Sequence, residues 1–524
     1  MKRLAADRRK WVILSVMIIS LVAVVLDNTV LNIALKTISE PRVGLGASQS
    51  QLEWAINSYT LVFAGLLFTF GVVGDRIGRR RMLIIGMAMF GLASLVSSYA
   101  QTPDELIWAR AAMGLGGAAV MPQTLSIISN VFEPRERPKA IGVWASAVGV
   151  AIAVGPIAGG LLLDHFWWGS VFLINVPLTA IGIGLIVALV PESRSAQPGR
   201  IDFGGVLASI AGLVLLIYGI IEGGDNGSWL TAGVLGPIAG GLAVLGGFAW
   251  YESRTAHPAL DVRLFRDRRL SSASAAIMLA FFSLSGAFFF TGFYTQNVRG
   301  FSPLHAGLLT IPLAAGQLLS APRTARLVRR FGAKAVVTSG LLIVAVSLVG
   351  YTQLGVSTPI WFLEATFLVQ GCGMGLIMPP ATESVMAVVP RDRGGAGSAI
   401  TNTSRQVAVA LGVAVLGSIV AQGYRSRLTP HLSAVPAAAR LTATQSIAQT
   451  QAIAAHLGHA GPALLAAASA AFVHGMHLAS VTSVGIAVLG AAATLAWMPG
   501  RGVPPAEPGT TTPAEPALAG PADD

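Results

Sequence analysis

The feature that most constrains this chain is the recurrence of apolar runs of about twenty residues, each bounded by a short polar or basic segment. A helix needs about 20 apolar residues to cross the hydrocarbon of a bilayer, and inside it every backbone polar group must bond within its own segment. Fourteen such runs can be drawn: 11–35, 53–73, 82–100, 105–131, 139–163, 170–190, 203–221, 230–250, 272–296, 303–322, 332–352, 358–386, 396–423 and 473–497. They predict an all-α membrane protein. Of the 524 residues only 11% are charged and 53% are apolar, whereas a soluble domain carries roughly a quarter charged. The single cysteine, Cys372, excludes an internal disulfide.

Positive charge tests the count, because one helix more or fewer inverts every later loop. With the N-terminus in the cytoplasm, cytoplasmic segments hold 27 of the 35 Lys and Arg residues and outer segments hold six, while Arg110 and Arg405 fall inside helices. An even number of spans returns the C-terminus to the cytoplasm. The basic start (Lys2, Arg3, Arg8, Arg9, Lys10) precedes an apolar run too long for a signal peptide, and no small-residue cleavage site closes it. It reads as the cytoplasmic flank of a multi-pass protein of the inner or plasma membrane. The net charge of +11 lies in short clusters between apolar runs, which suits anionic lipid headgroups and argues against nucleic acid.

Residues 1–10 form a cytoplasmic N-terminus, 11–195 a first six-helix bundle, 196–255 two inserted helices, and 256–500 a second six-helix bundle. Residues 501–524, rich in Pro, Ala and Glu, read as a disordered cytoplasmic tail. An outer loop at 424–473, rich in Ala, Thr and Gln, is long enough to be functional or disordered and can be partly helical. The loop from Gly71 through Asp75, Arg76 and Gly78 to Arg81 has a counterpart from Ala321 through Arg323, Arg326 and Arg330 to Gly332. Corresponding loops in two six-helix halves are what a repeat-built transporter carries, with the substrate site midway between the halves.

Ionisable residues inside the spans come next. Asp27, in Leu26-Asp27-Asn28-Thr29, costs about 2.5–3.5 kcal/mol to insert and is a functional candidate by default. The bland alternative is a protonated aspartate held by Thr29 or Asn32. Arg110 must find acceptors in the bundle, with Asp27 the obvious partner, or else snorkel to the nearby outer boundary. Glu364 is the best of the remaining acids. His456/His459 and His474/His477 have i, i+3 spacing with no Cys or carboxylate cluster, so no metal site is expected. The absence of a phosphate-binding glycine loop argues against direct ATP drive. No nucleophile–base arrangement suggests an enzyme.

Together these motifs resemble the major facilitator superfamily, and within it the fourteen-helix drug:proton antiporters. The resemblance covers residues 11 to about 500. It implies two six-helix bundles with two extra central helices, no cofactor beyond the proton gradient, and a monomeric carrier. Gly74, Asp75, Arg76, Gly78 and Arg79 match the signature loop between helices two and three, a cytoplasmic latch in the family. Leu106 to Gly117 around Arg110 resembles the buried-arginine motif, and Gly149, Gly155, Pro156, Gly159 and Gly160 resemble the antiporter motif of exporters. Trp54-Ala55-Ile56-Asn57-Ser58-Tyr59, Trp167 to Pro177 and Asn402 to Gln406 also fit fourteen-helix members. The resemblance makes Asp27, Arg110 and Glu364 proton-coupling residues, and Asp27, Asn32, Asn57, Tyr59 and Glu364 substrate contacts. Some multidrug members carry carboxylates in helix thirteen. This chain has none there, which argues for a narrower or less cationic substrate range.

The expected activity is proton-coupled export of hydrophobic, often cationic compounds by alternating access. An exporter of an endogenous lipid, siderophore or secondary metabolite, and a non-transporting membrane receptor, stay open on the same sequence.

Overall fold

Long helices carry the chain back and forth, as the apolar runs demand. The computed structural model describes residues 2–133, 136–194, 202–255, 258, 260–388 and 394–499; the predicted disordered tail lies outside the described residues. The first half holds α1 (Lys2–Ser39), α2 (Gln49–Ile77), α3 (Arg79–Ser98), α4 (Pro103–Val131), α5 (Arg137–His165), and a sixth span broken at Ile174 into α6 (Ser170–Leu173) and α7 (Asn175–Leu189). An added hairpin follows, α8 (Phe203–Asn226) and α9 (Ala232–Glu252). The second half holds α10 (Arg268–Phe293), α11 (Pro303–Leu308), α12 (Ile311–Phe331), α13 (Ala333–Tyr351), α14 (Ile360–Val388), α15 (Gly394–Leu428), α16 (Ala437–Gln445), α17 (Ile447–Ala454) and α18 (Gly461–Trp497).

Thirteen spans among the described residues are long and apolar enough to cross a membrane. The fourteenth is α5, whose 29 residues reach about 43 Å at the α-helical rise. Local chemistry sets the ends. Ser48 and Gln51 form a reciprocal capping box at the start of α2. Thr102 caps α4, with Pro103 in its first turn and Asp104 and Glu105 at the positive end of the helix dipole. The corresponding loops of the two halves turn on glycines with positive φ, 119° at Gly78 and 83° at Gly332, a conformation that glycine adopts without penalty.

Within the first half, α4 packs on α2 and α3, and α1 packs on α5 and α7. In the second half, α14 packs on α12 and α13, and α15 packs on α10 and α18. Small residues set the approach: a Cβ on Gly371 of α14 would fall 2.0 Å from the Leu313 carbonyl of α12. The hairpin attaches through α8, which lies against both α2 and α15.

The halves meet on the side away from the N-terminus. There Gln49 Nε2 donates to Gly417 O (2.8 Å), Gln296 Nε2 to Ile33 O (3.0 Å) and Gln449 Nε2 to Gly46 O (3.1 Å).

The long loop is shorter than its composition suggests, because α15 runs to Leu428 and α18 begins at Gly461. Alanine-rich sequence keeps its helical propensity beyond the apolar run, so hydropathy underestimated both helices. What lies between them is ordered around α16 and α17. Ile447 and Ala448 are buried, and the hydroxyls of Tyr424 and Thr450 are 2.6 Å apart. Tyr424→Phe removes that bond and leaves the one that Thr450 donates to the Ala443 carbonyl, a loss of about 1 kcal/mol. Trypsin cleavage after Arg440 in protein held in nanodiscs is therefore expected to run about fivefold faster than in wild type, and an unchanged rate would show that the bond does not hold α16 and α17 in place.

Candidate functional site

Four helices of the first half converge on one buried ion pair. Asp27 of α1 is 1% exposed and Arg110 of α4 is 0% exposed. Arg110 Nη1 donates to Asp27 Oδ2, and its Nε donates to the Ala55 carbonyl of α2 at 3.1 Å. Asn175, at the break between α6 and α7, donates through Nδ2 to Asp27 Oδ1 (3.0 Å) and Ser94 Oγ (3.0 Å). Ser94 in turn donates to the Phe172 carbonyl at 2.8 Å. The guanidinium lies 4.5 Å from the centre of the Tyr59 ring and 5.9 Å from that of Phe172, close enough for cation–π attraction.

Arg110 therefore does not snorkel. Neither Thr29 nor Asn32 holds Asp27: Thr29 Oγ1 donates to Leu26 O (2.9 Å) and Asn32 Nδ2 to Asn28 O (3.0 Å), both within α1. The holder is Asn175, whose segment the sequence singles out without assigning it a role.

The small residues of α5 grip the same stretch of α1. A Cβ on Gly155 would fall 1.8 Å from Thr29 Oγ1, and one on Gly159 would fall 2.9 Å from Val30 Cγ1. Gly160 faces the other half, where a Cβ would lie 2.4 Å from Leu304 Cα of α11, and a Cβ on Gly307 would lie 2.3 Å from the Pro156 carbonyl. Gly149 lies in the same helix, nearer its start. One face of α5, Gly155 and Gly159, thus seats the ion-pair helix, and the adjacent face of the same turns, Pro156 and Gly160, seats the opposite half.

At the other end of α2, Asp75 Oδ1 accepts from Arg79 Nε at 2.8 Å. Gly74 packs so closely on Gln123 of α4 that a Cβ would overlap its amide, and Gln123 Nε2 donates to Phe70 O at 2.7 Å. Arg76 is exposed at the helix end. Glu192, just beyond α7, accepts from the backbone N–H groups of Arg80 (3.1 Å) and Arg81 (3.3 Å) and lies against Gly78. Sequence reading passed over Glu192, because an acid after the last apolar residue of a span looks like an ordinary solvated end.

The remaining predicted residues are dispersed. Glu364 is half-buried in the first turns of α14, and among the described residues no ion pair joins it to Asp27 or Arg110. Asn57 and Tyr59 are fully buried, and both amide atoms of Asn57 lack a hydrogen-bond partner. Asn32 lines a small pocket between the halves with Pro156, Phe288, Thr291, Thr295 and Phe367. His456 Nε2 lies 2.7 Å from Arg42, and His477 Nε2 2.7 Å from the Leu354 carbonyl. Among the described residues no group of three ligand-type side chains forms.

A model of the Major Facilitator Superfamily matches residues 17–413. The chain belongs to that superfamily. This facilitator is 34% identical over 93% of its length to the multidrug efflux pump LfrA of Mycolicibacterium smegmatis, 96% of which is covered. It is 33% identical over 91% of its length to the methyl viologen resistance protein SmvA of Salmonella typhimurium, also covered to 96%. It is 32% identical over 79% of its length to the tetracenomycin C resistance and export protein of Streptomyces glaucescens, of which 76% is covered. Among solved structures it is similar to a bacterial homolog of the human lysosomal transporter Spinster in an inward-facing, occupied conformation, with TM-score 0.63 and 17% identity over 93% of this chain and 96% of that one. That likeness carries the all-α fold, and in this chain two additional helices, α8 and α9, stand between the two six-helix bundles.

Removing one partner of a buried ion pair strands the other charge, at about 3–5 kcal/mol. Thermal melting in detergent is expected to show that loss for Asp27→Ala and for Arg110→Ala, with the double variant costing less than the sum of the two. Additive losses would mean that the pair does not hold the four helices together.

Proposed function

We propose that this facilitator is a proton-coupled antiporter that exports hydrophobic compounds, many of them cationic, by alternating access. The observation that carries the reading is the sealed Asp27–Arg110 pair on the stretch of α1 that α5 grips through Gly155 and Gly159. Protonation of Asp27 cancels its charge and releases Arg110 from it. The balance of contacts on α1 then changes, and α5 transmits that change across its own width, from Gly155 and Gly159 to the adjacent face that meets α11. Protons drawn inward down their gradient thereby drive substrate outward without ATP or any covalent step. The names of the relatives, a multidrug efflux pump and resistance proteins for methyl viologen and tetracenomycin C, support the direction of transport and the substrate class.

In this reading both termini face the cytoplasm of a plasma or inner membrane, and the loop of Gly74, Asp75, Arg76, Gly78 and Arg79 latches the cytoplasmic side. Substrate sits between the halves against aromatic side chains such as Phe288 and Phe367, and one polypeptide suffices. Arg405 limits the charge it accepts. Its guanidinium lies 5.6 Å from the centre of the Phe281 ring, and among the described residues no carboxylate pairs with it. In this reading the substrate path runs past α15, and an uncompensated cation there disfavours compounds with two positive charges.

In inverted vesicles with an imposed pH gradient, wild type is expected to accumulate ethidium and Asp27→Asn to lose gradient-driven uptake. A folded wild type that accumulates nothing would remove broad drug export, in favour of an exporter dedicated to one hydrophobic metabolite. Arg405→Gln is expected to raise protection of cells against the dication methyl viologen while leaving ethidium uptake in place; no gain for the dication would show that Arg405 does not filter charge.

A further inference from the structure

A second buried carboxylate, two residues along α2 from the Ala55 carbonyl that Arg110 reaches, has no part in the coupling scheme above. Glu53 lies one turn into α2 on the side where the halves meet, and it is 1% exposed. Its Oε1 is 3.4 Å from Gln49 Nε2, and its Oε2 has no hydrogen-bond partner. The same Gln49 amide donates to the Gly417 carbonyl of α15 at 2.8 Å. Gly417 presses so closely on the carboxyl that a Cβ there would fall 2.3 Å from Oε1. The first half, the second half and the added hairpin close over this group together. Ser50 Oγ donates to Asp225 Oδ2 of α8 (3.1 Å), and Ser418 Oγ of α15 donates to the Ile220 carbonyl of α8 (3.0 Å).

The charged neighbours offer no compensation. Asp225 from α8 is a like charge, and Arg425 from α15 is committed to Asp225 at 3.6 Å. Glu222, one turn earlier on α8, has contacts of its own. Among the described residues no cation pairs with Glu53. An ionised carboxylate walled in by glycine, one shared amide and a like charge pays its full desolvation cost, whereas a protonated one forfeits only a hydrogen bond. Asp27 is the opposite case in the same state of the molecule, with Arg110 and Asn175 bound to its two oxygens.

We propose that Glu53 is a proton-operated lock on the outer gate: the halves shut over it only after its carboxyl has taken a proton from the outer solution, and reopening returns that proton to the same side. The proton held by Glu53 is not transported; it makes closure depend on outer pH, and Glu53 acts as a positioning residue for the cycle. The inference rests on the alternating-access reading. The sign follows from proton uptake on closing. The closed state gains as pH falls, and the closed-to-open ratio drops by up to about tenfold per pH unit once Glu53 is ionised in the open state.

The test is a distance measurement across the outer face, which needs no transported compound. Spin labels at Val43→Cys and Leu441→Cys, both exposed and on opposite halves, are introduced in a Cys372→Ser background. Double electron–electron resonance is then recorded in nanodiscs between about pH 5 and about pH 8. In wild type the short-distance population is expected to dominate in acid and fall as pH rises, while Glu53→Gln keeps it at every pH. Glu53→Met, apolar and of similar length, is expected to behave like Glu53→Gln, so the comparison survives poor folding of either variant. Asp225→Asn is expected to retain the response. The proposal is overturned if wild type does not respond, if Glu53→Gln titrates like wild type, or if Asp225→Asn abolishes the response. A gate that titrates on Glu53 in a protein that moves no ethidium would sink the export reading and leave the lock standing.

Discussion

The first half of this molecule is organised by the rule that a charge in lipid must find its counter-charge inside the protein. Arg110 obeys it with donors reaching Asp27 on α1 and the Ala55 carbonyl on α2, and its plane lies beside the rings of Tyr59 and Phe172. Asn175 ties the same carboxylate to α7, and through Ser94 to α3. Five helices thus share one set of polar contacts. Buried pairs are poor stabilisers relative to apolar packing, because desolvation consumes much of their Coulomb energy. The placement of this one argues for conformational specificity: it sets the register of α1 against α4, and the glycine notches of α5 are cut for that register.

How much of this was legible in the sequence follows from which physics each feature obeys. The spans are legible because lipid demands unbroken apolar length, and that demand acts on composition alone. Asp27 and Arg110 stand out for the same reason, as exceptions inside those runs. Gly78 is legible because positive φ is a local requirement that glycine meets. Glu53 was not, because an acid four residues into a helix, beside Trp54, looks like a solvated end until the opposite half closes over it. Asn175 and Glu192 likewise acquire their partners only through tertiary contact. The boundaries of α15 and α18 failed for another reason: alanine supplies helical propensity without the hydropathy that marks a span.

The substrate contacts expected of Asn57 and Tyr59 illustrate the limits of a motif. Both side chains are wholly buried, and Tyr59 lies against Arg110 in the interior of the first half. Their spacing in the helix fits a positioning role for the ion pair as well as it fits a lining role, and a single sequence does not separate the two. Asn32, on the face of α1 that meets α10 across the midline, is the polar side chain of this group that reaches the space between the halves.

The seams between the halves use different chemistry from their interiors. Across the seam on the side away from the N-terminus the buried and half-buried hydrogen bonds are made by neutral amides, Gln49 to Gly417, Gln296 to Ile33 and Gln449 to Gly46, while the guanidinium contact of Arg42 with His456 is exposed and screened by water. Each amide bond is worth about 0.5–1.5 kcal/mol net, and water can replace it when the seam opens. Inside the first half the bond is ionic, and breaking it costs about 3–5 kcal/mol. A body joined internally by the stronger bond and to its neighbour by the weaker ones separates at the neighbour. The glycine contacts of α5 with α11 add close packing without side-chain interdigitation, so that face can part without rotamer rearrangement. Rigid halves and a parting seam therefore follow from where the sequence puts its charges and where it puts its glutamines.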